Sequence, residues 1–211
     1  MGPDSEKRIH VAFYRTAAGN LPVREWLKDL DPEDRKIVGD DLRTVELGWP
    51  LGMPLCRSLS SHKGLWEVRS ALPGNRAARV LSGRRPHGVA ARVRQENPKD
   101  ARRRSPIGGQ THEGDAAMTD NPHIGSSLEE FLEEEGRLEE ATATAVKRVL
   151  AWQIAERMKQ ERITKAEMAR RMRTSRSQLD RLLDPEKTTV QLNTLLEAAK
   201  ALGRQLRVEL R

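Results

Sequence analysis

The chain of 211 residues contains a single cysteine, Cys56, so no internal disulfide can form. One isolated thiol suits a reducing compartment and reads as a small buried apolar side chain. The five histidines lie far apart, without an i, i+4 or CxxC companion. That spacing excludes the usual metal-ligand patterns, and neither a metal nor a cofactor is expected. No apolar run of about eighteen residues occurs, and the first residues lack an apolar secretory core, so a cytoplasmic protein without membrane association is expected.

What is present is charge. The formal balance is +7 and the isoelectric point is near 9.9, which suggests a polyanionic partner such as nucleic acid, although most surface charge in a soluble protein is simply solvated. The length allows two small domains, each with its own core. Residues 8–81 read as a compact α+β unit. Ile9, Val11 and Phe13 alternate with His10, Ala12 and Tyr14 as in a half-buried strand. Pro22 opens a helix with Val23, Trp26, Leu27 and Leu30 at helical spacing. Asp31 and Pro32 form an N-cap and first-turn pair for a second helix, which carries Ile37, Val38, Leu42 and Val45 and stops at Gly48. A loop follows, then two β-like runs, "LWEVRS" and "RAARVL", joined by "ALPGN".

Between residues 82 and 117 no period of 2 or 3.6 is sustained. The segment holds 8 Arg or Lys against 4 Asp or Glu with many Gly and Pro, and is expected to be a disordered linker, or a nucleic-acid arm built on Arg102, Arg103 and Arg104. Residues 118–140 then carry 1 basic and 8 acidic residues, with Leu128, Phe131, Leu132 and Leu138 as the apolar positions. Residues 141–211 reverse the sign, with 16 basic and 8 acidic. Val146, Val149, Leu150, Ile154 and Met158 predict one helix; Leu192, Leu195, Leu196, Ala199 and Leu202 predict the last one, ended by Gly203. The final "RQLRVEL" alternates like a short terminal strand.

Two helix starts stand close together in "ITKAEMARRMRTSRSQLDRLL", residues 163–183. Thr164 with Glu167, and Ser175 with Gln178, both fit the capping box. Ala166, Met168, Ala169 and Met172 form one inward stripe, and Leu179, Leu182 and Leu183 another. Two short helices sharing a core across a tight turn make a helix-turn-helix, whose second helix presents its outward residues to DNA. Arg176, Ser177, Gln178 and Arg181 are then the candidate base contacts: Arg forks onto guanine, Gln pairs with adenine, Ser serves base or phosphate. Thr164, Lys165, Arg170, Thr174, Ser175 and Lys187 flank that helix as candidate phosphate contacts.

Residues 163–202 resemble the XRE or Cro/C1-type helix-turn-helix family, and "MRTSRSQLDRLLDPEKTTVQLNTLLEAAKALGRQLRVEL" resembles HigA-type antitoxins more narrowly. The sequence departs in the turn, where Arg173 and Thr174 replace a frequent Gly and aliphatic pair. The resemblance implies a homodimer on a palindromic double-stranded operator, with recognition helices roughly 34 Å apart.

The run from "REWLKDLDPEDRKIVGDDLRTVELGWPLGM" through "LWEVRSAL" and "RAARVL" resembles the RelE/HigB toxin superfamily, a helical hairpin on a small antiparallel sheet. Trp66, Glu67, Val68 and Arg69 stand at that family's strand motif. Such toxins cut mRNA on the ribosome, where basic side chains stabilise the crowded negative charge, and Lys63, Arg69 and Arg79 are the candidate catalytic positions by this resemblance. The family's next strand and basic tail are not legible after Leu81. The domain is therefore expected to end there, as a reading-frame shift joining two genes would produce, and to be inactive or self-neutralised. The acidic segment 118–140 is expected to cover the toxin half, in the same chain or in a second one.

The expected protein is thus a fused HigB/HigA-type pair whose working activity is DNA binding. An active ribosome-dependent endoribonuclease restrained by its own C-terminal half, and a plain repressor whose front half only binds a partner, are the alternatives.

Overall fold

A computed structural model describes residues 9–60, 64–74, 76–85, 88–96, 122–187 and 189–207. The chain divides into two compact units, residues 1–142 and 143–211.

In the first unit, β1 (Ala12–Tyr14) precedes two helices, α1 (Pro22–Asp29) and α2 (Pro32–Gly48). Both helices open on proline at the first turn, which fits a position whose N–H has no intrahelical partner. Asp31 occupies the N-cap of α2, but its side chain makes no capping hydrogen bond, so the proline alone marks the start. The hairpin α1–α2 is followed by a four-stranded antiparallel sheet in the order β2 (Cys56–Ser58), β3 (Leu65–Leu72), β4 (Arg76–Arg85), β5 (Gly88–Glu96). Val68 and Leu72 of β3 and Ala78 and Val80 of β4 are buried at alternating positions, as one core-facing sheet surface requires. Cys56 is buried in β2, and burial, with the Asp41 charge second, pushes its thiol pKa up to about 12. Such a thiol stays protonated and unreactive.

The sheet overturns the expected disorder over residues 82–85 and 88–96. β4 continues to Arg85, and β5 pairs with it from Ala77↔Glu96 to Arg85↔Gly88. The first unit is therefore not cut off at Leu81: a further strand follows "RAARVL". Val93 stands opposite the buried Val80, so Val89, Ala91 and Val93 form the alternation that the intervening arginines Arg92 and Arg94 obscure. Residues 97–121, including Arg102 to Arg104, lie outside the described residues.

The acidic segment returns to this unit. β6 (Ile124–Ser127) pairs antiparallel with β1, Ala12↔Ser127 and Tyr14↔Ile124. Gly125 makes this possible, since a Cβ there would collide with Leu21 and lie 2.9 Å from the Phe13 carbonyl oxygen. α3 (Leu128–Glu134) begins with a complete capping box on Ser127 and Glu130, which the sequence reading overlooked. Leu128, Phe131 and Leu132 are buried, with Phe131 edge-to-face on Phe13 at 5.6 Å. The carboxylates nearby meet cations of the helical hairpin: Glu134 with Arg24 and Lys28, Glu135 with Arg35 at 2.5 Å, and Glu140 with Lys36 at 2.6 Å. Exposed pairs contribute about 0–1 kcal/mol each, whereas each buried Leu or Phe contributes about 1.5–3 kcal/mol. Apolar packing therefore holds the segment and the ion pairs select its register.

α2 is buried along most of its second half, polar residues included. Glu46, fully buried, accepts the Val11 N–H at 3.1 Å and an Arg43 N–H at 2.5 Å. Asp34 takes both Arg76 amino groups, at 3.0 and 2.6 Å, and so ties the start of α2 to the start of β4.

α4 (Leu138–Gln160) spans the division between the units. The second unit continues with α5 (Lys165–Arg171), α6 (Arg176–Leu183) and α7 (Leu192–Ala201). Its core is Ile154, Met158, Met168, Ala169, Met172, Leu179, Leu182, Ala198 and Leu202. Four residues assigned inward by periodicity are exposed instead: Val146, Ala166, Leu192 and Leu196. On α4 the expected Val149, Ile154 and Met158 are buried, but Lys147 and Ala151 take the inward positions at the head of the row in place of Val146 and Leu150. Residues 204–207 form no strand, contrary to the expected terminal strand, and 208–211 lie outside the described residues.

Candidate nucleic-acid interface

The two helix starts form where the sequence predicts them. Thr164 Oγ1 accepts the Glu167 N–H at 3.2 Å, and Ser175 Oγ accepts the Gln178 N–H at 3.1 Å. Neither start closes the reciprocal half of its box. The Glu167 carboxylate instead takes Arg170 in a fork, both contacts at 2.9 Å, and Arg171 at 2.8 Å. Those hydrogen bonds, Arg171 first and Arg170 second, hold the Glu167 pKa below its ordinary value.

Between the helices the backbone reverses at Arg173, with φ +52°. Arg173 N–H donates to the Arg170 carbonyl at 3.1 Å and Thr174 N–H to the Ala169 carbonyl at 3.0 Å. This is a Schellman closure with arginine at the position glycine usually fills. The turn is therefore tight despite the replacement seen in the sequence. Met168, fully buried, and Met172 of the first helix meet Leu179 and Leu182 of the second in the common core.

On α6 the three leucines occupy one side, so a 100° step per residue leaves Ser177 and Arg181 at the centre of the opposite face. Arg176 and Asp180 lie at one flank of that face and Gln178 at the other. Arg176, Ser177, Gln178, Asp180 and Arg181 are all exposed. The structure thus gathers all four candidate base-contacting residues on one short cylinder, Arg176, Ser177 and Gln178 in its capped, electropositive first turn and Arg181 in its last turn. Asp180 belongs to the same face and was missed. Its carboxylate accepts a hydrogen bond from Lys165 Nζ at 2.6 Å, and this bond is the first cause of its lowered pKa.

The candidate phosphate contacts divide. Thr164 and Ser175 are exposed caps and Thr174 is half-buried in the turn. Lys165 is engaged by Asp180 and Arg170 by Glu167, so both cations have intramolecular partners. Lys187 is exposed in the loop after α6, where its N–H reaches the Asp184 carbonyl at 3.3 Å.

Two further residues fix the recognition helix. Lys147 Nζ donates to the Asp184 carbonyl at the end of α6, and Arg148 Nε donates to the Pro185 carbonyl at 3.2 Å. A cation at a helix C-terminus complements the dipole there. Burial lowers the Lys147 pKa from its ordinary value, with the Asp184 charge acting in the opposite sense. The 147, 151, 154, 158 spacing was a legible signal, but a lysine at its head argued against it.

Residues 153–207 match the Cro/C1-type HTH DNA-binding domain family. The match starts within α4 and includes α5, α6 and α7, so the capped pair described above lies in the part of the chain that is similar to Cro/C1-type HTH DNA-binding domains. No curated protein and no solved structure matches the chain.

In the first unit, the candidate catalytic residues are only partly placed. Arg69 is half-buried on β3, its Nε 3.8 Å from Glu67, and Arg79 stands directly opposite it on β4. The register continues to Arg94 on β5, giving three arginines in one row across three strands. Lys63 lies outside the described residues. Among the described residues no group of three or more His, Cys, Asp or Glu could hold a metal ion, and no helix is long and apolar enough to cross a membrane.

Proposed function

We propose that the chain is a sequence-specific DNA-binding regulator of toxin–antitoxin type, a RelE/HigB-like unit fused to a HigA-like Cro/C1-type domain that occupies a palindromic operator as a homodimer and represses its own transcription. The observation that carries the DNA-binding part is the exposed set Arg176, Ser177, Gln178 and Arg181 along α6, the first three in its capped first turn. In this reading Arg176 and Gln178 read bases, while Thr164, Ser175 and Lys187 grip phosphates. The mobility of upstream DNA is measured with the intact protein at two salt concentrations. Binding that weakens steeply with salt, and falls about ten-fold in Gln178→Ala for the specific site only, is the expected result. Binding that ignores salt, or the absence of binding, would falsify it.

The toxin-like half is inactive or neutralised in the intact chain, with residues 124–140 as the covering element. The pairing of Glu134, Glu135 and Glu140 with cations of α1 and α2 supports this. The second reading, an active ribosome-dependent endoribonuclease restrained by its own C-terminal half, is supported by the Arg69, Arg79 and Arg94 row. Growth is measured on expression of the full chain carrying Glu134→Gln, Glu135→Gln and Glu140→Gln. Arrest that disappears when Arg69→Ala is added favours the nuclease; unaffected growth with intact mRNA favours the regulator alone.

A further inference from the structure

The outward face of α6 is not uniformly basic. Asp180 lies one turn beyond Arg176 and beside Arg181, on the side that the DNA-binding reading presents to the major groove. An unpaired carboxylate there would be repelled by phosphates and would weaken binding to every sequence. The structure answers this charge locally: Lys165, the first residue of α5, donates from Nζ to Asp180 Oδ1 at 2.6 Å. Both side chains remain about half exposed, at 50% and 46%. The pair is therefore not a core strut. A carboxylate has two acceptor oxygens, and Lys165 takes one. Oδ2 remains for an external donor.

The major groove offers a carboxylate few donors. Guanine and thymine present acceptors there, adenine presents a donor beside the N7 acceptor, and cytosine presents its N4 amino group. From this geometry we infer that Asp180, neutralised by Lys165, is a specificity-determining residue that selects cytosine at one position of each half-site and rejects the bases whose edges carry only acceptors. The inference rests on the DNA-binding reading and deepens it. Lys165 acts through Asp180 as a positioning residue, which also removes it from the set of plain phosphate contacts.

The test is selection of bound sequences from a randomised duplex library with the full-length protein, wild type and Asp180→Asn side by side. The wild type is expected to select a motif containing a strong cytosine. Asp180→Asn is expected to lose that cytosine by about ten-fold and to move toward adenine, which an amide pairs in bidentate fashion. It should also bind non-specific DNA more tightly, because a negative charge has gone. Lys165→Met keeps the carboxylate but not its counter-charge, so it should retain the cytosine while weakening binding to all sequences alike.

An Asp180→Asn protein that is folded by circular dichroism and selects the unchanged motif overturns the assignment while leaving the DNA-binding reading intact. A Lys165→Met protein that selects a different base at that position overturns it as well. A wild-type protein that selects no motif at all removes both the assignment and the reading beneath it.

Discussion

The two units treat charge in opposite ways. In the first, cations and carboxylates are consumed internally: Arg43 with Glu46, Arg76 with Asp34, and Arg24, Arg35 and Lys36 with the carboxylates of residues 134–140. In the second, the hydrophobic cluster is built on methionine and leucine, Lys147 is buried against the carbonyl end of α6, and the polar face of α6 stays exposed. The first unit uses charge to set the register of its own distant segments. The second pairs its charges over short range on the exposed surface, as in Lys165–Asp180 and Arg170–Glu167, and relies on methionine and leucine for cohesion.

Breaking the first kind of contact should have the largest effect. Glu46→Ala leaves Arg43 buried without its carboxylate and the Val11 N–H without its acceptor, and should cost about 3–5 kcal/mol. Trp49 and Trp66, in edge-to-face contact at 4.7 Å, report it by fluorescence in a denaturant titration. An unchanged midpoint would show that the Glu46 pair contributes nothing net.

Leu179→Ala, in the second core, should cost about 2–4 kcal/mol, since its side chain is fully buried. Helical signal and DNA binding should fall together, whereas the Trp49–Trp66 fluorescence transition should not move. A shift in that transition would mean the two units melt as one.

A smaller change sharpens the comparison within the helix ends. Four helices close by the same pair of hydrogen bonds, with Gly136, Arg162, Arg173 and Gly203 in the left-handed region. The two arginines both lie in the second unit. Arg173→Gly should raise its stability by about 0.5–1 kcal/mol, because only glycine takes that conformation without Cβ crowding. Thermal melting checks this, and a loss of DNA binding in the more stable variant would show that the cation is retained there for its partner.

The smallest effect expected is on pH dependence. The Lys36 hydrogen bond, chiefly, holds the Glu140 pKa below its ordinary value. A depressed carboxylate contributes stability above its unfolded pKa and loses it as pH falls through the folded one. Acid titration of the first unit should therefore show a slightly shallower fall in Glu140→Gln than in wild type below the ordinary carboxylate range. Superimposable curves would remove the contribution.

The difference in charge handling also explains what was legible in the sequence. Thr164, Ser175 and the Leu179–Leu182 spacing are local signals, readable within one helical turn, and the helix-turn-helix followed from them. Lys147 was hidden because its contribution depends on a carbonyl at Asp184, 37 residues away. The strand β5 was hidden because arginine, glycine and proline outweighed the Val89, Ala91, Val93 alternation, and only pairing with β4 organises it. β2 read as loop for the same reason, being three residues long and stabilised by a neighbour. Asp180 was overlooked because attention to basic side chains passes over the one acid among them. The buried carboxylates of α2 defeat periodicity altogether, since a helix covered on several sides has no single apolar stripe.

The pairing of β1 with β6 has a consequence for how the molecule is made. Ala12 leaves the ribosome long before its partner Ser127. At roughly 5–20 residues per second, the earliest strand waits about 6–23 seconds for the piece that covers it. During that interval the nascent chain exposes an uncompleted edge and the cationic side of α1 and α2. A chaperone, a ribosomal surface or a neighbouring nascent chain has its opportunity then, before the chain closes on itself.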